Sequence, residues 1–479
     1  MTKSVLLASA ALLGTAFAAQ AADMAVKAPV YKAPIVAVYD WTGFYIGVNG
    51  GGGLGRDRLR HFNPGGPTFD SVYLSPQGGF GGGQVGYNWQ TGSILGPVVF
   101  GVEADIQGAG LHDSFTNLNG LAFTANYDRK IDWFGTVRGR LGLATGPVLS
   151  YVTAGYAYGN VKTSITETAG LTSSVFSTSR LQGGWTVGSG VEASLGGNWT
   201  GKLEYLYLNL GNKDDAFTAL GLPQTLNSEI RENLFRAGLN YRIGGNSAWT
   251  PVAAANWTGF YLGGNVGSGT ARDRTTQTFL IPGGTVENFN LAPDGINGGV
   301  QAGYNWQAAN WVYGVEADIQ ASSQKDNKTC VSTCNLPAGF GAVYEAKLPW
   351  FGTARARLGY SLGSTLFYAT GGYAYGSVKT RVDLTALGVT TRASFSETKG
   401  GWTAGAGIET PFTLLGLFGP NWTSKTEYLY VDLGSSSGTF AFPVVGAAVV
   451  GVNVDTRVTE HIFRTGLNYH FNSPVVAKY

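Results

Sequence analysis

Three features of the sequence predict an all-β fold: a transmembrane antiparallel up-and-down β-barrel built as two tandem eight-stranded units. The chain has 73 glycines among 479 residues, and aromatic and charged residues each make up 13%. Apolar residues alternate with glycine and polar residues in steps of two, which is typical of strands with one apolar face. A set of motifs also occurs twice in the same order. One sixteen-stranded barrel is the alternative that these features leave open.

The composition excludes several other classes of protein. A disordered chain is poor in aromatic residues and rich in charge, and collagen needs glycine at every third position. A helical bundle would lose roughly 1 kcal/mol for each interior glycine. The formal net charge of +2 leaves no basic stripe for nucleic acid. We therefore expect no nucleic-acid partner and no cofactor.

The first residues predict a secretory signal peptide over 1–21. A positively charged start precedes the apolar run 5–19, and Ala19 and Ala21 have the spacing of a cleavage site. A membrane anchor is the alternative, but the run is shorter than the ~20 residues that a spanning helix needs. Residues 22–40 follow as a periplasmic leader. Export combined with membrane-crossing strands gives the cell outer membrane as the expected localisation.

The duplication is the strongest signal in the chain. The segment Trp41–Tyr45 (WTGFY) returns as Trp257–Tyr261, and Gly101–Asp105 (GVEAD) returns as Gly314–Asp318. Because order and spacing persist through both halves, one whole unit was duplicated, and a solenoid with repeats of about 20–50 residues is excluded. The predicted domains are the signal peptide 1–21, the periplasmic leader 22–40, the first barrel unit 41–243, a linker 244–256, the second barrel unit 257–471 and a C-terminal tail 472–479.

Eight segments of the first unit alternate with period two. Near 97–108, for example, Val102 and Ile106 lie on one face while Glu103 and Asp105 lie on the other. Connections of about 20 residues, rich in Thr, Ser, Asn and Asp, alternate with tight turns, which is typical of outer-membrane barrels with strands of ~10 residues. The predicted strands lie near 42–54, 79–91, 97–108, 130–144, 148–160, 182–195, 199–210 and 232–243.

Tryptophan placement supports the membrane assignment. Amphipathic rings are favoured at both membrane interfaces, and most of the twelve tryptophans fall near predicted strand ends. The core of a soluble protein would place some at strand centres. The predicted interface aromatics are Trp41, Trp89, Trp133, Trp185, Trp199, Trp257, Trp306, Trp350, Trp402 and Trp422.

The inward faces of both units repeat one charge set. Three carboxylates accompany three guanidinium groups in each unit. The lumen of an eight-stranded barrel has room only for side chains, so charges inside it must pair. A wet sixteen-stranded lumen would not require such balance, and the charge set therefore favours two filled barrels. The predicted interior network comprises Glu103, Arg138, Arg140, Glu192, Glu204, Arg236, Glu316, Arg355, Arg357, Glu409, Glu427 and Arg464.

The remaining residues with potential chemistry give weak signals. Cys330 and Cys334 lie in a polar stretch without histidine, which favours a small disulfide because a closed zinc site needs four ligands. His112 beside Asp113 has no counterpart in the second unit and no partner placed by a recognisable motif. We therefore expect no enzyme activity, no catalytic residues and no metal.

With these motifs in view, the chain resembles the alphaproteobacterial outer-membrane immunogenic, porin-like small barrel proteins, which are related to the outer membrane protein A barrel. The resemblance rests on WTGFY at Trp41, GVEAD at Gly101, WFGTxRxR at Trp133 and GLNY at Gly238, each present twice. It implies an envelope-structural, surface-antigenic protein with limited passage of small solutes. A sixteen-stranded general diffusion porin is the alternative, and loop binding of a surface ligand or haem is the second.

The end of the second unit resembles the strand signal read by the barrel assembly machinery. Its polar-Gly-aromatic pattern consists of Gly466, Tyr469 and Phe471. The resemblance implies that this machinery and outer-membrane lipid are partners of the protein, whereas it names no extracellular ligand. The usual family member has one unit, so the duplication is a departure.

Overall fold

The described part of the chain covers almost all of the two predicted barrel units. The computed structural model describes residues 39–62, 68–93, 96–119, 123–244, 255–280, 286–329, 340–386, 388–412, 418–444 and 448–471. The chain divides into Met1–Ala37 and Val38–Tyr479, and all described residues belong to the latter. The predicted signal peptide, tail, most of the leader and linker, and both cysteines lie outside the described residues.

Within the described residues, antiparallel strands form two ten-stranded sheets, one from each half of the chain. The first sheet contains β1 (Gly43–Gly55), β2 (Asp57–Phe62), β3 (Thr68–Leu74), β4 (Gln77–Ser93), β5 (Gly96–Asn119), β6 (Phe123–Thr145), β7 (Val148–Ala169), β8 (Thr172–Gly196), β9 (Trp199–Ala219) and β10 (Leu222–Ile243). The second contains β11 (Gly259–Ala271), β12 (Asp273–Leu280), β13 (Val286–Leu291), β14 (Asp294–Ala308), β15 (Trp311–Thr329), β16 (Phe340–Leu362), β17 (Thr365–Ala386), β18 (Val389–Pro411), β19 (Trp422–Val444) and β20 (Ala448–His470).

Each sheet closes into a ring of eight strands. In the first sheet, β1 pairs with β4 on one side and with β10 on the other. In the second sheet, β11 pairs in the same way with β14 and β20. Between the described strands, no pairing joins one sheet to the other. The prediction of two tandem eight-stranded units is thus confirmed, and the single sixteen-stranded barrel is not formed.

The strands are longer than the sequence pattern predicts. Strands β7 and β8 continue pairing from Val161↔Arg180 to Ala169↔Thr172, where a turn with Gly170 at φ +58° joins them. The prediction of long loops between strands was therefore wrong at this position. Thr, Val and Ile favour extended backbone, so these polar stretches form hairpins above the membrane-facing part. The short hairpin β2–β3 adds to β10 through pairs such as Arg58↔Glu229.

The two faces of each strand differ as the period-two pattern predicts. On β1, Ile46 and Val48 are 56% and 61% exposed, whereas Tyr45 between Phe44 and Ile46 is only 2% exposed. The exposed apolar faces form a band suited to lipid. Among the described residues, no helix has the length and apolar character needed to span a membrane. We call the end of each barrel where β1 or β11 begins its lower end, and the opposite end, which carries the long hairpins, its upper end.

The two barrels pack side by side through equivalent residues. Arg56 of the first barrel contacts Asp294 at 2.5 Å and also Asp326. Its counterpart, Arg272, contacts Gln77 at 2.8 Å and Asp113 at 2.7 Å. Since these partners also occupy corresponding positions of the repeat, the contact has approximate two-fold symmetry, as in a homodimer.

Aromatic and apolar side chains extend this contact. The ring centroids of Tyr205 and Phe463 lie 6.0 Å apart, and those of the corresponding pair, Phe235 and Tyr428, lie 5.3 Å apart. At the upper end, buried apolar residues from the two barrels form one cluster. Its members include Leu59, Val72, Phe115, Tyr127, Phe289, Tyr344, Val382, Phe442 and Val454. The duplicated chain therefore carries its own dimer-like interface.

Candidate functional site

Eight charged side chains fill the lower lumen of the first barrel, and we call them the first network. None is more than 4% exposed, and carboxylates and cations are equal in number. The members are Glu103, Asp105, Glu192, Glu204, Arg138, Arg140, Lys202 and Arg236. Each lies at an inward position of β5, β6, β8, β9 or β10, where alternation turns it into the lumen.

Cations of the first network bind several carboxylates at once. Arg138 donates to Glu204 at 3.0 Å, to Asp105 at 2.9 Å and also to Glu103. Lys202 Nζ lies 2.9 Å and 3.0 Å from the two carboxylate oxygens of Glu103. Such multiple pairing is what allows charges to remain buried, because an unpaired ion loses its hydration without compensation.

Tyrosines join the network to the lower mouth of the barrel. Arg140 donates to Glu192 at 2.7 Å and to the Tyr45 hydroxyl at 2.7 Å, and its guanidinium lies 4.0 Å from the ring centroid of Tyr151. The Tyr45 hydroxyl in turn donates to Glu103 at 2.8 Å. The lower lumen is thus filled by side chains that bind one another.

The second barrel repeats this arrangement with nearly the same distances. Arg355 donates to Glu427 at 3.0 Å, and Lys425 lies 2.9 Å from both oxygens of Glu316. This second network comprises Glu316, Asp318, Glu409, Glu427, Arg355, Arg357, Lys425 and Arg464, none more than 4% exposed. His470 is an addition, with Nε2 3.3 Å from Glu409.

The structure brings together all twelve interior charges predicted from the sequence. It adds four that were not predicted: Asp105, Lys202, Asp318 and Lys425. Period two could have found them, because Asp105 lies two residues after Glu103 and Lys202 lies two residues before Glu204. The balance in each barrel is therefore four carboxylates to four cations.

An apolar layer lies above each network. In the first barrel it includes Phe80, Leu111, Phe134, Leu206 and Leu234. In the second barrel it includes Leu348, Phe351, Leu429, Val458 and Ile462. At the positions that correspond to Phe80 and Leu111, the second barrel has Asn297 and Gln324, both no more than 2% exposed. The first lumen is thus closed by charge and by apolar packing, and the second layer carries two polar side chains.

Eight of the ten predicted interface tryptophans are partly or half exposed. Trp89, Trp185, Trp199, Trp306 and Trp402 are about half exposed on the outer surface. Trp133, Trp350 and Trp422 are partly buried. Their role at the membrane interface stays a prediction.

Trp41 and Trp257 correct the prediction of interface aromatics, because both are 0% exposed. Trp41 donates from Nε1 to the carbonyl of Gly146 at 3.2 Å, and Trp257 donates to Ser361 Oγ at 3.1 Å. Each precedes the first strand of its barrel and packs over the lower mouth. A position before the strand is not bound by the inward–outward alternation, so the ring can turn inward.

The remaining predicted residues lie apart from the networks. Tyr469 and Phe471 are 36% and 55% exposed on the outer face of the second barrel, and Gly466 pairs with Asn265 in the ladder. His112 contacts Asp128 at 2.7 Å on an exposed face, whereas Asp113 contacts Arg272. Among the described residues, no group of three or more His, Cys, Asp or Glu side chains could hold a metal ion.

Comparisons with known proteins agree with this geometry. The family model of the outer membrane protein beta-barrel domain matches residues 8–242 and 244–471. The 31 kDa outer-membrane immunogenic protein of Brucella melitensis is 38% identical over 257 residues, which cover 50% of this chain and 100% of that protein. The 22 kDa outer membrane protein of Rhizobium leguminosarum is 36% identical over 185 residues, 38% of this chain and 71% of that protein.

Similarity to solved structures is weak. Neisserial surface protein A matches with a TM-score of 0.22 and 14% identity, over 42% of this chain and 98% of that protein. The family model and the relatives, in contrast, confirm the expected resemblance and the localisation in the cell outer membrane. The chain belongs to the outer membrane protein beta-barrel domain family and carries that domain twice.

Proposed function

We propose that this outer-membrane barrel protein is an envelope-structural, surface-displayed protein whose lumens admit at most the smallest solutes. The observation that carries the proposal is the filling of both lower lumens by sixteen interbonded charged side chains, none more than 4% exposed. General diffusion pores instead use 16–18 strands around an aqueous channel.

Opening either lumen would require separating its ion pairs. Removing one partner of a buried pair typically costs about 3–5 kcal/mol, and each cation here has several partners. The apolar layer above each network adds a second barrier. Passage of solutes larger than water or small ions would therefore need cooperative rearrangement of both layers.

Surface display is supported by the upper hairpins. Leu171 at the tip of the β7–β8 hairpin is fully exposed, and Leu222 and Val389 at other tips are 57% and 59% exposed. Two relatives at 38% and 31% identity are named outer-membrane immunogenic proteins. An antibody against the β7–β8 tip should label intact cells, and labelling only after permeabilisation would contradict this orientation.

Planar-bilayer conductance tests the closed state directly. The purified full-length protein should show no stable nanosiemens-scale channel. An Arg138→Ala and Arg355→Ala double variant should show more frequent brief openings, because each lumen loses its most connected cation. Lys213→Ala, at an exposed position, is the matched control and should behave like the parent. A stable nanosiemens-scale channel from the unmodified protein would overturn the proposal.

A further inference from the structure

We propose that Asp273 and Glu460 of the second barrel bind one oxygen-coordinated metal cation of the Ca²⁺ and Mg²⁺ class. The two carboxylates lie above the apolar layer, on β12 and β20, and are 3% and 1% exposed. Glu460 pairs with Ala271 in the strand ladder, and Asp273 follows Ala271 by two residues, so the register places the two carboxylates beside each other. One oxygen of each side chain, Oδ1 of Asp273 and Oε1 of Glu460, has no hydrogen-bond partner.

In the first barrel, the corresponding pair of carboxylates lies beside an arginine of the chain itself. Asp57 and Glu232 occupy the corresponding positions on the neighbouring strands β2 and β10, and Arg129 of β6 is buried beside Asp57 with 0% exposure. Its Nη1 is 3.4 Å from Asp57 Oδ2, and its Nη2 donates to Ser228 Oγ at 3.0 Å. Glu232 is also within electrostatic range of this guanidinium. The acidic pair of the first barrel thus has a cation of the chain beside it, which pairs with Asp57 and leaves the Glu232 carboxylate without a hydrogen-bond partner.

The second barrel keeps the acidic groups and loses the cation. Ala346 occupies the place of Arg129, and the register is fixed by Tyr344 and Trp350, which correspond to Tyr127 and Trp133. Among the described residues, no Lys or Arg forms an ion pair with Asp273 or Glu460, whereas the neighbouring Asp326 is paired with Arg56 of the first barrel.

Neutral oxygen and amide groups remain around the pair. Thr456 replaces Ser228 and retains the hydroxyl that contacts Arg129 in the first barrel. Gln324 replaces Leu111, and its Nε2 donates to Glu460. The two carboxylates are hard oxygen donors of the kind that Ca²⁺ and Mg²⁺ prefer.

Burial makes the uncompensated pair unfavourable. Two adjacent carboxylates away from water must either take up protons or bind a cation. A divalent ion neutralises both charges and coordinates the two oxygen atoms that lack a hydrogen-bond partner, whereas protonation of both carboxyls neutralises the charges and leaves those oxygen atoms without a partner. This favours a metal cation, whereas the sequence alone led us to expect none.

The number of metal ions bound per chain, measured on the full-length protein in uncharged detergent, tests the proposal. Calcium titration calorimetry and Mn²⁺ electron paramagnetic resonance should each detect one site per chain. Asp273→Asn should weaken binding at least tenfold. Ala346→Arg, which restores the guanidinium of the first barrel, should abolish binding while the heat-modifiable gel mobility of the folded protein is kept. Asp57→Asn, the matched change in the first barrel, should leave the count at one.

The reciprocal change provides a gain-of-site control. Arg129→Ala removes the guanidinium beside the acidic pair of the first barrel, so the number of metal ions bound per chain should rise from one to two. The proposal is overturned if the parent binds neither ion at millimolar concentration, or if one site persists in Ala346→Arg. A protonated-carboxyl infrared band that Asp273→Asn removes and Ca²⁺ does not diminish would likewise overturn it, because the pair would then hold protons. These outcomes are independent of conductance, so they separate this proposal from that of closed lumens.

Discussion

The two barrels are nearly identical in their lower halves and different in their upper halves. The networks keep their distances after duplication: Arg140 and Arg357 each lie 2.7 Å from their glutamate partners. Above the networks, Arg129 of the first barrel corresponds to Ala346 of the second, and Leu111 corresponds to Gln324. Loss of one member of a network of mutually dependent ion pairs lowers the stability of the barrel strongly. A residue above the network can be replaced when the charges that it paired with find another partner. The lower half therefore specifies the barrel, and the upper half is free to specialise.

The largest effect should come from removing the most connected cation of each network. Arg138→Ala and Arg355→Ala should each lower the free energy of unfolding of their barrel by about 3–5 kcal/mol, because three buried carboxylates lose a partner. Urea titration followed by heat-modifiable gel mobility measures the loss, and hydrogen exchange identifies the barrel affected. Unequal losses, differing by more than about 2 kcal/mol on that scale, would break the equivalence of the two networks.

A smaller effect should follow from exchanging the residues that distinguish the apolar layers. Phe80→Asn should destabilise the first barrel by about 3 kcal/mol, through lost packing and a buried amide. Asn297→Leu should stabilise the second barrel by about 1–2 kcal/mol, since both amide atoms of Asn297 lack hydrogen-bond partners. Urea midpoints of the two variants provide the test. Destabilisation by Asn297→Leu would show that the polar side chain is needed where it lies.

The smallest effect should come from the contact between the barrels. Arg56→Ala and Arg272→Ala should each cost about 1 kcal/mol, because both arginines are partly exposed and water that replaces them can solvate Asp326 and Asp113. A double-mutant cycle with Asp326→Asn should recover coupling for Arg56 only, and one with Asp113→Asn for Arg272 only. Coupling in the crossed combinations would contradict the two-fold arrangement.

Much of the fold could be predicted because membrane strands have a simple period. Alternation from Val102 to Ile106 sets which side chains face lipid and which face the lumen, and the structure follows it. The same rule explains why Glu103 and Arg138 meet inside. It fails at Trp41, which lies outside a strand, and for the Thr- and Ser-rich segments, whose polarity suggested loops although their backbone pairs as hairpins.

The interior networks were only partly predictable for a related reason. The predicted networks contained only Glu and Arg residues. Lys202, which lies on the same strand face as Glu204, was not predicted. The partners of a given charge depend on the register between strands, and this register cannot be predicted from the sequence of a single strand. The contacts of Arg56 with the second barrel could not be predicted from alternation along a strand, since they join residues far apart in the sequence.

The sequence by itself determined the class, the duplication and the inward or outward direction of most strand residues, because alternation and repetition are local properties. Only the tertiary structure decided that each unit closes its own ring, that the two rings share a two-fold contact, and that Asp273 and Glu460 are buried where Ala346 replaces the guanidinium of Arg129. Those facts depend on pairing between distant segments. The free energy of a buried charge is set by its neighbours in space, and these cannot be read from the order of residues in the chain.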